Sequence, residues 1–270
     1  MRTQGFSLVE LSIVLVILGL LAGGILSGQS LIRAAELRAV PTEFQRHSAA
    51  ALTFRDKYMA LPGDMANAQR FWSAATHCPG TNAQGGTTKA TCNGDGDGII
   101  EAQGTVGATV VSNELFRFWQ HLANAGLVEG SYSGVTGPNH ATDDAVIGSN
   151  VPASKLSKAG FTPNGVASLA NLSPQYFLRE TGTFYNYGAE HATASTYAPV
   201  LRPEEAWNID TKIDDGKPGF GTITTFTRTA NGDSVAAINP NCASSDTAST
   251  AEYSYTESGQ LCSLAIKTGL

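Results

Sequence analysis

The chain has 270 residues, enough for one large domain or two small ones with a substantial core. It carries 17 basic against 23 acidic side chains, a mild acidity with no general attraction for polyanions, so a nucleic-acid partner is not indicated. Only 15% of residues are charged while Gly numbers 29, a composition more usual for exported proteins than for cytosolic enzymes.

Phe6 to Leu26 forms an apolar run with Glu10 as its one charged residue. As a helix rising about 1.5 Å per residue it spans about 30 Å, the thickness of a bilayer's hydrocarbon core, which predicts a membrane anchor. No loop signal follows, so the helix is expected to continue outward. Leu37, Val40, Phe44, Ala51, Phe54 and Tyr58 recur three, four or seven apart and make one apolar stripe, with Arg33, Glu36, Arg38, Glu43 and Arg46 mostly off it. Pro41 should bend this stem or break it locally. Arg2 keeps the short leader cytoplasmic by the positive-inside tendency, which puts everything beyond the anchor on the outer side.

A carboxylate near the membrane interior costs about 2.5–3.5 kcal/mol even on the mildest scale, so Glu10 needs a compensating partner. The sequence Met-Arg-Thr-Gln-Gly-Phe-Ser-Leu-Val-Glu-Leu from Met1 to Leu11 closely resembles the class III leader of type IV prepilins and type II secretion pseudopilins. The resemblance implies that a prepilin peptidase cuts after Gly5 and methylates the new amino terminus at Phe6. Glu10 then takes the family's acidic position, whose partner is the terminal ammonium of a neighbouring subunit. Gly19, Gly23, Gly24 and Gly28 put small residues along the anchor, where helices can approach closely. Ser27 stands where many type IVa pilins carry a helix-bending proline.

Beyond Tyr58, Leu61-Pro62-Gly63-Asp64 is expected to end the stem, with Asp64 capping a short helix that carries Met65, Phe71 and Trp72. A second helix is predicted from Ser112, as N-cap, to Ala125. Leu115, Phe116, Trp119, Leu122 and Ala123 form its apolar face, and Gly126 ends it. Trp119 and His121 read as packing residues. Short strands are predicted at Phe184 to Tyr187, Thr222 to Thr227, Val235 to Ile238 and Ala251 to Tyr255, and a helix opening at Pro203-Glu204-Glu205. The expected fold is α+β: a long N-terminal helix packed on a small antiparallel sheet, loop-rich, with two disulfides. Its divisions are a leader at 1–5, an anchor and assembly helix at 6–58, and an exported domain at 59–270.

Four cysteines allow three connectivities. Pairing Cys78 with Cys92 and Cys242 with Cys262 is favoured because each pair brackets a polar loop, and closing loops of that length contributes about 3 kcal/mol each. Directly after Cys92, the run Asn93-Gly94-Asp95-Gly96-Asp97-Gly98-Ile99-Ile100-Glu101 places oxygen side chains at alternate positions, with glycine sixth, like the first half of a calcium loop. Asn93, Asp95, Asp97, Glu101 and the Ile99 carbonyl are the candidate ligands of a structural Ca2+, and Ile100 would anchor the turn in the core. Gly104 stands where a complete loop would carry its bidentate Glu, so Glu101 or the more distant Glu114 must close the shell. Asp210, Asp214 and Asp215 form a second acidic group with poorer spacing, read as a capped turn rather than a metal site.

No Gly-x-Ser-x-Gly, phosphate loop or His-Glu-x-x-His is present, and an enzyme is not expected. The expected role is a structural subunit of a type IV pilus-like filament, held in the inner membrane before assembly and in an extracellular pilus or periplasmic pseudopilus after it. Its partners would be further copies of itself, the prepilin peptidase and an assembly platform. A type II secretion pseudopilin and an adhesive minor or tip pilin are the alternatives.

Overall fold

A computed structural model of the chain describes residues 7–76, 78, 89–101, 105–106, 109–110, 114–137, 144–166, 182–191, 194–226, 242–245 and 247–270. Gly5, Phe6, the expected N-cap Ser112 and the expected strand at Val235 to Ile238 lie outside them. Helix α1 runs from Leu8 to Tyr58, 51 residues or about 76 Å. Its start is a capping box. The Ser7 hydroxyl accepts from Val9 N at 3.3 Å, and Glu10 Oε2 accepts from Ser7 N at 2.8 Å. Its end is Met59, whose left-handed backbone (φ 53°) breaks the repeat. Pro41 does not interrupt it. The prolyl ring removes one N–H donor, but Val40 and Phe44 on either side are buried against the rest of the molecule, and that packing holds the helix through the proline.

The two halves of α1 differ in what they touch. The large apolar side chains from Leu8 to Ile32 are 51–85% exposed all round the helix. From Val40 onward one face is buried, through Val40, Phe44, His47, Ala51 and Phe54, which is the stripe the 3.6-residue period predicts. The first tie to the remaining fold is Arg33, whose guanidinium forks onto both oxygens of Glu205 at 2.8 and 2.7 Å and donates to Val200 O at 3.0 Å.

The short helix α2 spans Gln69–Trp72, and a two-residue pair, β1 (Thr105–Val106) with β2 (Thr109–Val110), precedes α3 at Glu114–Asn124. Asp64 does not cap α2, whose N-cap residue is Ala68; the carboxylate is turned onto another loop instead. The main sheet has five antiparallel strands: β3 (Ala159–Val166), β4 (Gly182–His191), β5 (Ala194–Ala198), β6 (Ile223–Phe226) and β7 (Ser263–Lys267). Their order is β3-β4-β7-β6, with β5 also on β4. Helix α4 (Pro203–Ile213) sits between β5 and β6 in sequence and opens on the expected proline, with Glu205 Oε2 accepting from Arg202 N. Pro163 lies within the edge strand β3, opposite Tyr185. Among the described residues the expected strand at Ala251 to Tyr255 reduces to one bridge, Ala243 with Tyr253, and the Tyr253 hydroxyl donates to Asp210 at 2.8 Å.

The core forms where α1 and α3 lie on the sheet. His47 packs edge-on against Trp119 of α3 and Phe161 of β3 at 4.9 and 5.1 Å, and Trp119 stacks on Tyr185 of β4 at 5.6 Å. Cys78–Cys92 and Cys242–Cys262 are both formed. The fold is therefore α+β, with a long N-terminal helix, an antiparallel sheet, many loops and two disulfides.

Candidate functional site

Two loops meet beside the outer end of α1. One is the Leu61-Pro62-Gly63-Asp64 turn after the stem; the other is the segment that leaves Cys92. They touch because residue 94 is glycine: a Cβ there would lie 2.4 Å from the Asp64 backbone. Gly94 N donates to Met65 O at 3.1 Å, which fixes the two segments in register. The Asp64 carboxylate then accepts from Gly96 N at 2.6 Å and from Gly98 N at 3.0 Å. At Gly96 the loop adopts φ +79°, a conformation side chains with a Cβ rarely take.

Within the loop each aspartate organises the next backbone group. Asp95 Oδ1 accepts from Asp97 N at 3.1 Å, and Asp97 Oδ1 from Ile99 N at 2.8 Å. Ile100 is fully buried, the anchor expected of it. Below the loop, α3 contributes Glu114, fully buried, whose two oxygens accept from Asp95 N at 3.0 Å and Glu101 N at 3.4 Å. Asn93 Oδ1 accepts from Gln69 N at 3.0 Å and so also holds the start of α2.

The carboxylates that converge are Asp64, Asp95 and Asp97, each offering an oxygen within 4.8 Å of the others, and they could hold a metal ion. Asp95 and Asp97 were legible in the alternating pattern; Asp64 was not, since it arrives from another loop. Its one sequence signal is a Pro-Gly turn that presents a carboxylate. Glu101 is not in that group. A cavity of about 700 Å³, lined in part by Arg55, Tyr58, Met59, Asp64 and Asp97, opens on the carboxylates.

Electrostatically the loop is under strain from its own charge. Burial raises Asp64 to about 6, with Asp95 and Asp97 adding to the rise against the donated N–H groups of Gly98 and Gly96. Burial pushes Glu114 up to about 9, again with help from Asp64 and Asp95. Glu101 is raised by burial and by Asp97 and Asp95. All three shifts would be relieved by a cation, the environment a hard divalent ion requires.

The N-terminal segment answers to a known pattern. Residues 1–26 match the family model of the prokaryotic N-terminal methylation motif. This segment opens with a class III prepilin leader, the kind carried by type IV pilins and pseudopilins. No curated protein and no solved structure matches the chain. Directly behind the prepilin leader runs the apolar half of α1, among the described residues the one helix long and apolar enough to cross a membrane.

Asp210, Asp214 and Asp215 also bring oxygens within 4.8 Å of one another and could likewise hold an ion. Their oxygens are engaged as in a capped turn. Asp210 accepts from Tyr253 OH and Gly216 N, Asp214 from the amides of Thr222 and Ile223, and Asp215 from Lys217 N. A hydroxyl–imidazole pair also occurs: Thr91 Oγ1 lies 2.9 Å from His121 Nε2. Both residues are fully buried, His121 Nδ1 accepts from Gly63 N, and Thr91 donates onward to Gln120 Oε1 at 2.7 Å. The pair holds the Gly63 turn against α3 rather than facing a substrate, the packing role read for His121.

Proposed function

We propose that this chain is a structural subunit of a type IV pilus-like filament. The observation that carries the reading is the prepilin leader joined, without a break, to a helix that is bare and apolar for its first half and packed on a folded domain for its second. A bare apolar helix is stable in a bilayer, or in a bundle of the same helices from other copies. The chain would wait in the inner membrane with residues 59–270 outside. The prepilin peptidase would remove Met1 to Gly5 and methylate Phe6. An assembly platform would then draw the helix, 6–58, into a filament, extracellular as a pilus or periplasmic as a pseudopilus. In this reading Glu10 exchanges its cap on Ser7 N for the ammonium of a neighbouring copy. The role is structural and needs no catalysis.

Shearing cells and identifying the filament protein by intact mass tests the reading. A main component beginning at Phe6 and one methyl heavier than the cut chain is the expected result; a chain retaining Met1 to Gly5 in cells with active peptidase rejects it.

The acidic loop would take Ca2+ as a structural ion, with Asp64, Asp95 and Asp97 as side-chain ligands and Asn93, Ile99 and Glu101 the further candidates in the same loop. Magnesium demands a tighter octahedron than this flexible glycine loop offers. Calorimetric titration of the mature chain should show saturable calcium uptake that is lost in Asp95→Ala and Asp64→Ala. Absence of uptake, or uptake unchanged in both variants, overturns the assignment.

A further inference from the structure

The two sulfurs of the Cys78–Cys92 bond sit in opposite electrostatic surroundings. Cys92 is 1% exposed, and the Arg117 guanidinium donates to its Sγ from Nη2 at 3.3 Å. Arg117 is itself fully buried, and although burial lowers it to about 10 it remains a cation at neutral pH. Cys78 is only half-buried, and its Sγ lies 3.6 Å from the Thr91 carbonyl oxygen. A thiolate on Cys92 would be met by a positive charge; one on Cys78 would face the negative end of a carbonyl dipole.

Thiol–disulfide exchange is fast when the attacked sulfur is accessible and the departing sulfur is stabilised as an anion. We infer that Cys78–Cys92 is an exchange site at which an external thiolate attacks Cys78 Sγ and Cys92 departs as a thiolate held by Arg117. In the first step one sulfur–sulfur bond forms to Cys78 and the Cys78–Cys92 bond breaks, with its electron pair going to Cys92. In the second, the other thiolate of a dithiol reagent attacks its own sulfur in the mixed disulfide and releases Cys78. The reagent is oxidised by two electrons and the protein bond reduced by two. The matching partner class is a dithiol–disulfide oxidoreductase, which makes the bond by the reverse sequence. Cys242 and Cys262 are 1% and 0% exposed, so the second disulfide offers no accessible sulfur.

Opening the first bond acts on the acidic loop directly. Cys92 lies between Thr91, whose hydroxyl joins His121 and Gln120, and Asn93, where the loop begins. The switch therefore stands at the entrance of the segment that carries Asp95 and Asp97.

The test uses the full chain in detergent, exposed to dithiothreitol for rates and to glutathione for adduct position, with acid quenching, alkylation and peptide mass mapping. Cys78–Cys92 should open at least about tenfold faster than Cys242–Cys262, with the trapped glutathione on Cys78. Comparable rates, or an adduct on Cys92, overturn the inference. In Arg117→Met the first bond should open about tenfold more slowly while the second is unchanged; an unchanged first rate removes the guanidinium from the mechanism and overturns the inference. If the second bond opens faster in that variant, the fold has loosened and Arg117→Lys decides. The adduct must stay on Cys78 when a cation is kept, and an even spread over both sulfurs overturns the inference.

Discussion

Raising the pH from 7.5 to 9 in the presence of a chelator should destabilise the folded chain, and the main cause should be one carboxyl group. Glu114 is buried under the acidic loop and held at about 9, whereas in the unfolded chain it titrates near 4.5. A carboxyl raised in the folded state contributes stability that is complete below its unfolded value and is lost as pH climbs through its folded one. Across this window Asp64, at about 6, is ionised, and His47 and His121, lowered to about 4 and 3, are neutral in both states, while Asp210, raised by burial to about 7, loses only the last part of its proton and adds a small loss of the same sign. Taking up one proton fewer over 1.5 units, with half-titration at the upper end, removes about 2 kcal/mol. For a domain of this size that lowers Tm by about 4–8 °C. Thermal unfolding followed by near-ultraviolet circular dichroism, which reports Trp72 and Trp119, measures it. Glu114→Gln, which cannot ionise, should remove most of the slope whatever it does to the absolute Tm, leaving the small part due to Asp210. A flat or rising wild-type Tm between pH 7.5 and 9 would refute the argument that this carboxyl is held neutral.

Three further outcomes are expected. His47→Phe should become progressively more stable than the parent as pH falls from 6.5 toward 4, by about 1.4 kcal/mol per unit, because burial beside Arg46 keeps His47 neutral and its Nδ1 has no partner; parallel pH profiles would contradict this. Arg33→Ala should cost about 1–2 kcal/mol and speed amide exchange at the start of α4, while Arg33→Lys, which keeps the charge but loses the fork on Glu205, should recover only part of it. Full recovery by Lys would show that charge alone matters. Glu10→Ala should leave the folded domain intact but lower filament yield, with Glu10→Gln separating loss of charge from loss of the cap on Ser7 N; a wild-type yield from the Ala variant argues against any assembly contact.

The stem was readable because its burial is one-sided: a helix packed on one face must repeat its apolar residues at the helical period, and Val40, Phe44, Ala51 and Phe54 do. Helix α4 announced itself through proline followed by two acids, and α3 through its apolar face. Strands β3, β5 and β7 gave no such signal. In Ala159–Val166 glycine, proline and asparagine read as turn residues, yet pairing with β4 along its own whole length and the buried Phe161 make it a strand. Tertiary contact overrode local preference. The acidic loop was half legible for a related reason. Asp95 and Asp97 share a chain segment, whereas Asp64 joins them across 31 positions through a backbone contact that only Gly94 permits. In isolation a Pro-Gly-Asp turn before a helix looks like a cap.

Pro163 bears on how copies of this chain can and cannot associate. Its ring leaves one position of the outer rim of β3 without a hydrogen-bond donor. A strand from another molecule laid along that border would find a gap in its ladder. Runaway strand addition along that border, the route to cross-β aggregates, is thereby discouraged.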